Sequence, residues 1–136
     1  MEFYINVWAV LVAAIVYMGI GMIWYGPLFG KVWRRLMGIT DEAMKSMKLS
    51  PIRAMAMGFV TALVMSYVLW RFVIIGGAIT AGGAVNLAFW LWLGFMVPIS
   101  AGSFLWEGRP FKLFVLNALH QLVSVALMAI VLTLWQ

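Results

Sequence analysis

The sequence predicts an all-α polytopic membrane domain: four transmembrane helices plus a short amphipathic interfacial helix in the first cytoplasmic loop. Three observations predict it. Apolar stretches at about residues 3–25, 52–74, 84–106 and 110–135 each reach the ~20 residues that cross ~30 Å of hydrocarbon. Only 10% of the residues are charged, against roughly 25% in a soluble domain, so water is the wrong solvent for most of this surface. Apolar and polar residues do not alternate as in a membrane strand, and helices satisfy their own backbone in lipid. The spans leave no room for a soluble catalytic domain, so residues 1–136 read as one transmembrane domain.

Charge orients the spans. Lys31, Arg34, Arg35, Lys45, Lys48 and Arg53 fall between the first and second stretches, and Arg109 and Lys112 between the third and fourth. If every stretch crosses, eight of the nine cations share one side and Arg71 alone lies on the other. The positive-inside rule then places loops 26–51 and 107–110 in the cytoplasm and both termini outside, as expected for a multi-pass protein of a bacterial inner (plasma) membrane. The same distribution argues against nucleic acid as a partner, because no recognition motif accompanies the net charge of +5. Tyr4, Trp8, Trp70 and Trp135 fall at the expected outer ends, and Trp24, Tyr25, Trp33 and Trp106 at the inner ends. Two aromatic belts thus follow from a register chosen on charge.

Helix 1 is expected to end at Gly26-Pro27. In Leu28 to Met37, Phe29, Val32, Trp33 and Leu36 recur on one side, and Lys31, Arg34 and Arg35 on the other. That pattern predicts an interfacial helix with its rings in lipid and its cations at lipid headgroups. Thr40 can cap a further helix carrying Asp41 and Glu42 in its first turn, with an Asp41–Lys45 pair. Ser50-Pro51 then opens helix 2. Helix 2 carries small residues at every fourth position, Ala54, Gly58, Ala62 and Ser66, a stripe that lets another helix approach closely within the chain or between copies. The glycine-rich segment 76–83 reads as a flexible outer spacer. In helix 3, Pro98 removes a donor and frees the carbonyl of Gly94, which predicts a kink that is either structural or part of a cavity wall. The halves look alike at Trp24 to Lys31 and Trp106 to Lys112, with Asn6 and Asn86 near each start; a duplication would be parallel.

Polar groups inside a bilayer are the first functional suspects. Asn117, His120, Gln121 and Ser124 stand three and four apart on helix 4 and share one face, which should meet another helix, a water-filled cavity or another subunit rather than lipid. His120, ten residues after Pro110, lies ~15 Å along the helix, near mid-membrane. It reads as an imidazole hydrogen-bonded to a neighbour such as Tyr17 or a helix 3 serine, or as part of a polar pore or substrate site. Enzyme readings fail on inventory. The chain has no buried aspartate pair and no HExxH; one histidine and no cysteine make no metal site, and no GxSxG elbow supports a dyad of Ser103 or Ser124 with His120. No cofactor is called for.

Trp24 to Trp33, Glu107 to Phe114, then Asn117 and His120, and the closing Met128 to Trp135, resemble in order and spacing the bacterial membrane family known as domain of unknown function seventeen sixty-one. That resemblance implies a small four-span membrane protein, without an assigned activity, substrate or cofactor. Where the family often has an aromatic or a histidine at the pair 120–121, this chain has His120-Gln121, so a two-residue role is not carried over.

Two expectations for function follow. One is a homo-oligomeric channel or carrier for a small solute, since four helices enclose little space alone. The other is a non-transporting accessory or structural protein that binds a membrane-protein partner or anionic lipid through the basic helix.

Overall fold

The computed structural model describes residues 5–38 and 51–136. The expected cap at Thr40, the Asp41–Lys45 pair and the Ser50 cap lie outside the described residues. Helix α1 (Val7–Ile23) continues through a π-helical turn (Trp24–Leu28) into α2 (Gly30–Met37). Helix α3 spans Pro51–Gly76. Helix α4 (Ala81–Leu91) passes through a second π-turn (Trp92–Met96) into α5 (Val97–Leu105), and α6 runs Phe111–Leu134. Four segments are long and apolar enough to cross a membrane: Val7–Leu28, Ile52–Gly76, Ala81–Leu105 and Phe111–Leu134, here spans 1 to 4. The chain is a four-span all-α membrane protein.

Two features depart from expectation. Span 1 does not stop at Gly26-Pro27. Pro27 cannot donate and would clash with the preceding turn, and the chain absorbs it by widening to a π-turn, with Phe29 N–H donating to the Trp24 carbonyl at 2.9 Å. The second π-turn precedes Pro98 in the same way, with Val97 N–H donating to the Trp92 carbonyl. The glycine segment is also shorter than a spacer. Gly77 turns the chain at φ 68°, Thr80 caps α4 by accepting from Gly83 N–H at 3.0 Å, and helix resumes at Ala81.

The two asparagines near the starts of the halves are placed differently. Asn6 caps α1, accepting from Ala9 N–H, and its amide donates to the Trp135 carbonyl at 2.7 Å. Asn86 instead lies exposed inside α4.

Span 4 is the axis of the bundle. It packs on spans 1, 2 and 3, while span 2 meets span 3 only sparingly. The core joins Ala9, Val10 and Ala13 of α1 to Leu69 and Val73 of α3, Ala84 and Ala88 of α4, and Val125, Met128, Ala129 and Leu132 of α6. Lipid supplies no hydrophobic drive between helices, so close packing and interhelical hydrogen bonds hold them. Alanines at the contact permit that approach. The helix 2 stripe contributes its C-terminal half: Ala62 and Ser66 are buried, Ser66 Oγ donates to the Val10 carbonyl at 2.7 Å, and Gly58 faces Met18. Ala54 is exposed. Trp70, expected in the outer belt, is buried and stacks on Tyr67.

Gly30 sets how α2 joins span 1. A Cβ there would lie 2.8 Å from the Tyr25 carbonyl oxygen, a backbone atom that cannot swing aside. Gly26, in the same turn, has open space around it. Gly30→Ala is therefore expected to lower stability by about 1–3 kcal/mol as overpacking does, with Gly26→Ala near wild type, read as unfolding midpoints in detergent.

Candidate functional site

Span 4 presents its polar residues in two directions, because Gln121 stands one residue, about 100°, round the helix from His120. Asn117, His120 and Ser124 turn toward span 1. Gln121 turns toward span 3.

Toward span 1, Tyr25 Oη donates to Asn117 Oδ1 at 2.6 Å, the shortest polar link between the two spans. Tyr25 reaches Asn117 from within the π-turn, whose widened backbone sets the direction of its ring. His120 and Ser124 are buried, with His120 Nε2 and Ser124 Oγ 3.4 Å apart on successive turns. Three rings of span 1 enclose the imidazole. Their centroids lie 4.9 Å (Tyr25), 5.9 Å (Tyr17) and 6.0 Å (Trp24) from its own. Gly21 also faces the imidazole, where a Cβ would sit at ordinary contact distance, 3.7 Å from His120 Nε2. Trp24 Nε1, sealed from solvent, finds no acceptor among the described residues. A polar group buried in lipid without a partner is costly, which makes this donor a marked feature of the cluster.

On the basic side α2 folds back over the cluster. Trp33 stands edge-on to Tyr25 at 5.5 Å, and Phe29 lies 4.7 Å from Trp24. The cationic side chains Lys31, Arg34 and Arg35 are exposed, while Trp33 and Leu36 are half-buried.

Toward span 3, Ser100 Oγ donates to Gln121 Oε1 at 3.1 Å. A second bond, from Trp92 Nε1 to the Ala118 carbonyl at 2.7 Å, fastens span 3 to span 4. Because spans 2 and 3 barely meet, a groove runs between them over span 4. Its apolar part, about 320 Å³, is lined by Met65, Leu69, Phe72, Leu91, Phe95 and Val125 among others. Its continuation, about 300 Å³, shares Met65, Phe95 and Met96 and adds Tyr17, Ile99, Ser100 and Gln121. Tyr17 thus has the groove on one side and His120 on the other, joining two polar groups that the sequence offered as one face.

Gly94 and Pro98 are exposed, and a Cβ at Gly94 would meet nothing within 4 Å. They lie on the outside of span 3 rather than along the groove. Among the described residues no group of three or more His, Asp or Glu side chains stands close enough to hold a metal ion. Two signals escaped the sequence reading: the role of the proline-bearing turn in aiming Tyr25, and the place on the groove of Tyr17, which was expected only as a neighbour of His120. Neither has a local signature, since each depends on how span 1 is rotated against span 4.

The family described as a protein of unknown function (DUF1761) matches residues 8–133, and the chain belongs to it. No curated protein and no solved structure matches the chain.

The Tyr25–Asn117 bond should be worth about 0.6 to 1.7 kcal/mol, the range for side-chain bonds between membrane helices. A double-mutant cycle of Tyr25→Phe and Asn117→Ala, read as unfolding free energy in denaturing detergent, should return a coupling in that range.

Proposed function

We propose that this member of the family is a subunit of a homo-oligomeric carrier or channel for a small, neutral, hydrogen-bonding solute. One observation carries the reading: the groove between spans 2 and 3 has a polar floor, Ser100, Gln121 and Tyr17, within a span that is otherwise apolar. Polar side chains in the membrane face a bundle interior or a water-filled cavity, not hydrocarbon. In a single chain the groove is open along spans 2 and 3, where Val68, Phe72 and Phe95 are exposed. A second copy laid over that opening would close it into a cavity with hydrogen-bonding walls.

Solute class follows from the lining. Ser100 and Gln121 offer a hydroxyl and an amide, which exchange hydrogen bonds with a solute as readily as with each other. No Asp, Glu, Lys or Arg side chain lines the groove, so an ion entering it would meet no counter-charge to offset its desolvation. Tyr25, Asn117, His120 and Ser124 hold span 1 to span 4 behind this wall and act as positioning residues. In this reading the basic side is the cytoplasmic face of a bacterial inner membrane and both termini lie outside.

Osmotic swelling of proteoliposomes in urea or glycerol tests the transport step. Wild type should swell severalfold faster than protein-free vesicles, and Gln121→Leu with Ser100→Ala should return the rate to background. Equal rates from wild type and the double variant would remove the groove from the pathway. Orientation is checked separately. The natural chain has no cysteine, so single cysteines can be introduced freely. In intact cells an impermeant maleimide should label Ile79→Cys and spare Lys31→Cys.

A further inference from the structure

We propose that the basic face of α2, completed by Arg109 from the loop between spans 3 and 4, is a binding site for the headgroup of an anionic phospholipid, and that an occupied site steadies Trp33 against Tyr25 and so the intramembrane cluster. The surface is tertiary. Lys31, Arg34 and Arg35 are exposed on one side of α2, and Arg109, some seventy residues further on, reaches the end of that helix, its Nη1 3.9 Å from Met37 Sδ. Glu107 is the one carboxylate among the described residues, and it belongs to the same loop.

Placement favours a lipid over a soluble anion. Helix α2 starts two residues after Leu28, the last residue of span 1, so it lies at the level where the bilayer turns polar. Apolar surface beside the cations is exposed: Leu28 just before the helix and Val32 within it, at 60% and 37% exposure. A lipid molecule satisfies both parts at once, its acyl chains along Leu28 and Val32 and its phosphate among the cations. A free phosphate would use only the cations. Basic residues this close to a membrane surface each favour anionic lipid by about fivefold.

The other side of the same helix touches the cluster. Gly30 packs on the Tyr25 carbonyl, Trp33 stands edge-on to the Tyr25 ring, and Tyr25 holds Asn117. A lipid that fixes α2 therefore fixes the Tyr25–Asn117 bond. This is regulation by ordering, with Trp33 as the link.

The test uses purified full-length chain in mixed micelles with phosphatidylglycerol or phosphatidylcholine. Native mass spectrometry reads the lipid retained, and a thermal melt reads the stabilisation. Wild type should retain phosphatidylglycerol in preference and melt higher with it. Arg109→Gln, which leaves the cations of α2 in place to orient the chain, should lower that retention about fivefold, and Lys31→Gln with Arg34→Gln and Arg35→Gln on the order of a hundredfold. Trp33→Ala should keep the lipid but lose the phosphatidylglycerol-specific rise in melting temperature. Equal retention of the two lipids by wild type, or wild-type retention by both the single and the triple Gln variants, overturns the site. Competition of the retained lipid by inorganic phosphate at millimolar concentration also overturns it, in favour of a free-anion site. A wild-type melting response in Trp33→Ala overturns the link to Tyr25. Neither readout depends on solute flux, so a failure here is separable from a failure of the transport reading.

Discussion

The close approach of α1 to α6 is the constraint on which the rest of the bundle depends. Hydrocarbon gives helices no reason to associate, so the contact must be won by packing and by polar bonds. Ala9, Ala13 and Ala14 on one side and Ala129 on the other remove the bulk that would hold the axes apart. Asn6 to Trp135 pins one end of the pair, and Tyr25 to Asn117 pins the other. With spans 1 and 4 locked, spans 2 and 3 attach to either side, through Ser66 to Val10 and through Trp92 to Ala118. Their separation from each other, and hence the groove, is a consequence of that order of packing.

Proline is used twice as a shaping device. In span 3 the helix widens to a π-turn and runs on, which keeps its backbone groups partnered inside lipid; in span 1 the π-turn leads to Phe29, which leaves helical geometry before α2 begins. In span 1 the widened turn carries Trp24 and Tyr25 and aims them at His120 and Asn117. In span 3 it carries Trp92 and aims the indole N–H at the span 4 backbone.

Much was legible in the residues alone. Four spans, their loops and the amphipathic character of α2 follow from run length and from the positions of nine cations, which are properties of local composition. The polar cluster of span 4 was legible too, since helical spacing puts Asn117, His120, Gln121 and Ser124 near one another whatever surrounds them. Less legible was the division of that face. A residue one step round the helix from His120 meets a different neighbour, and no single-helix pattern says which. The glycine segment misled for a related reason: Thr80 can cap only once the chain has turned at Gly77, so the start of α4 is a property of the folded turn.

The sequence by itself determined that this chain is helical, how often it is long and apolar enough to cross a bilayer, and which residues are polar within those segments, because solvent partition acts on each segment separately. Only the tertiary structure decided that Tyr25 meets Asn117, that Tyr17 divides His120 from a groove, that Arg109 joins α2, and that spans 2 and 3 stand apart. Those depend on the rotation and approach of packed helices, and in lipid a few methyl groups and hydrogen bonds between distant residues set both.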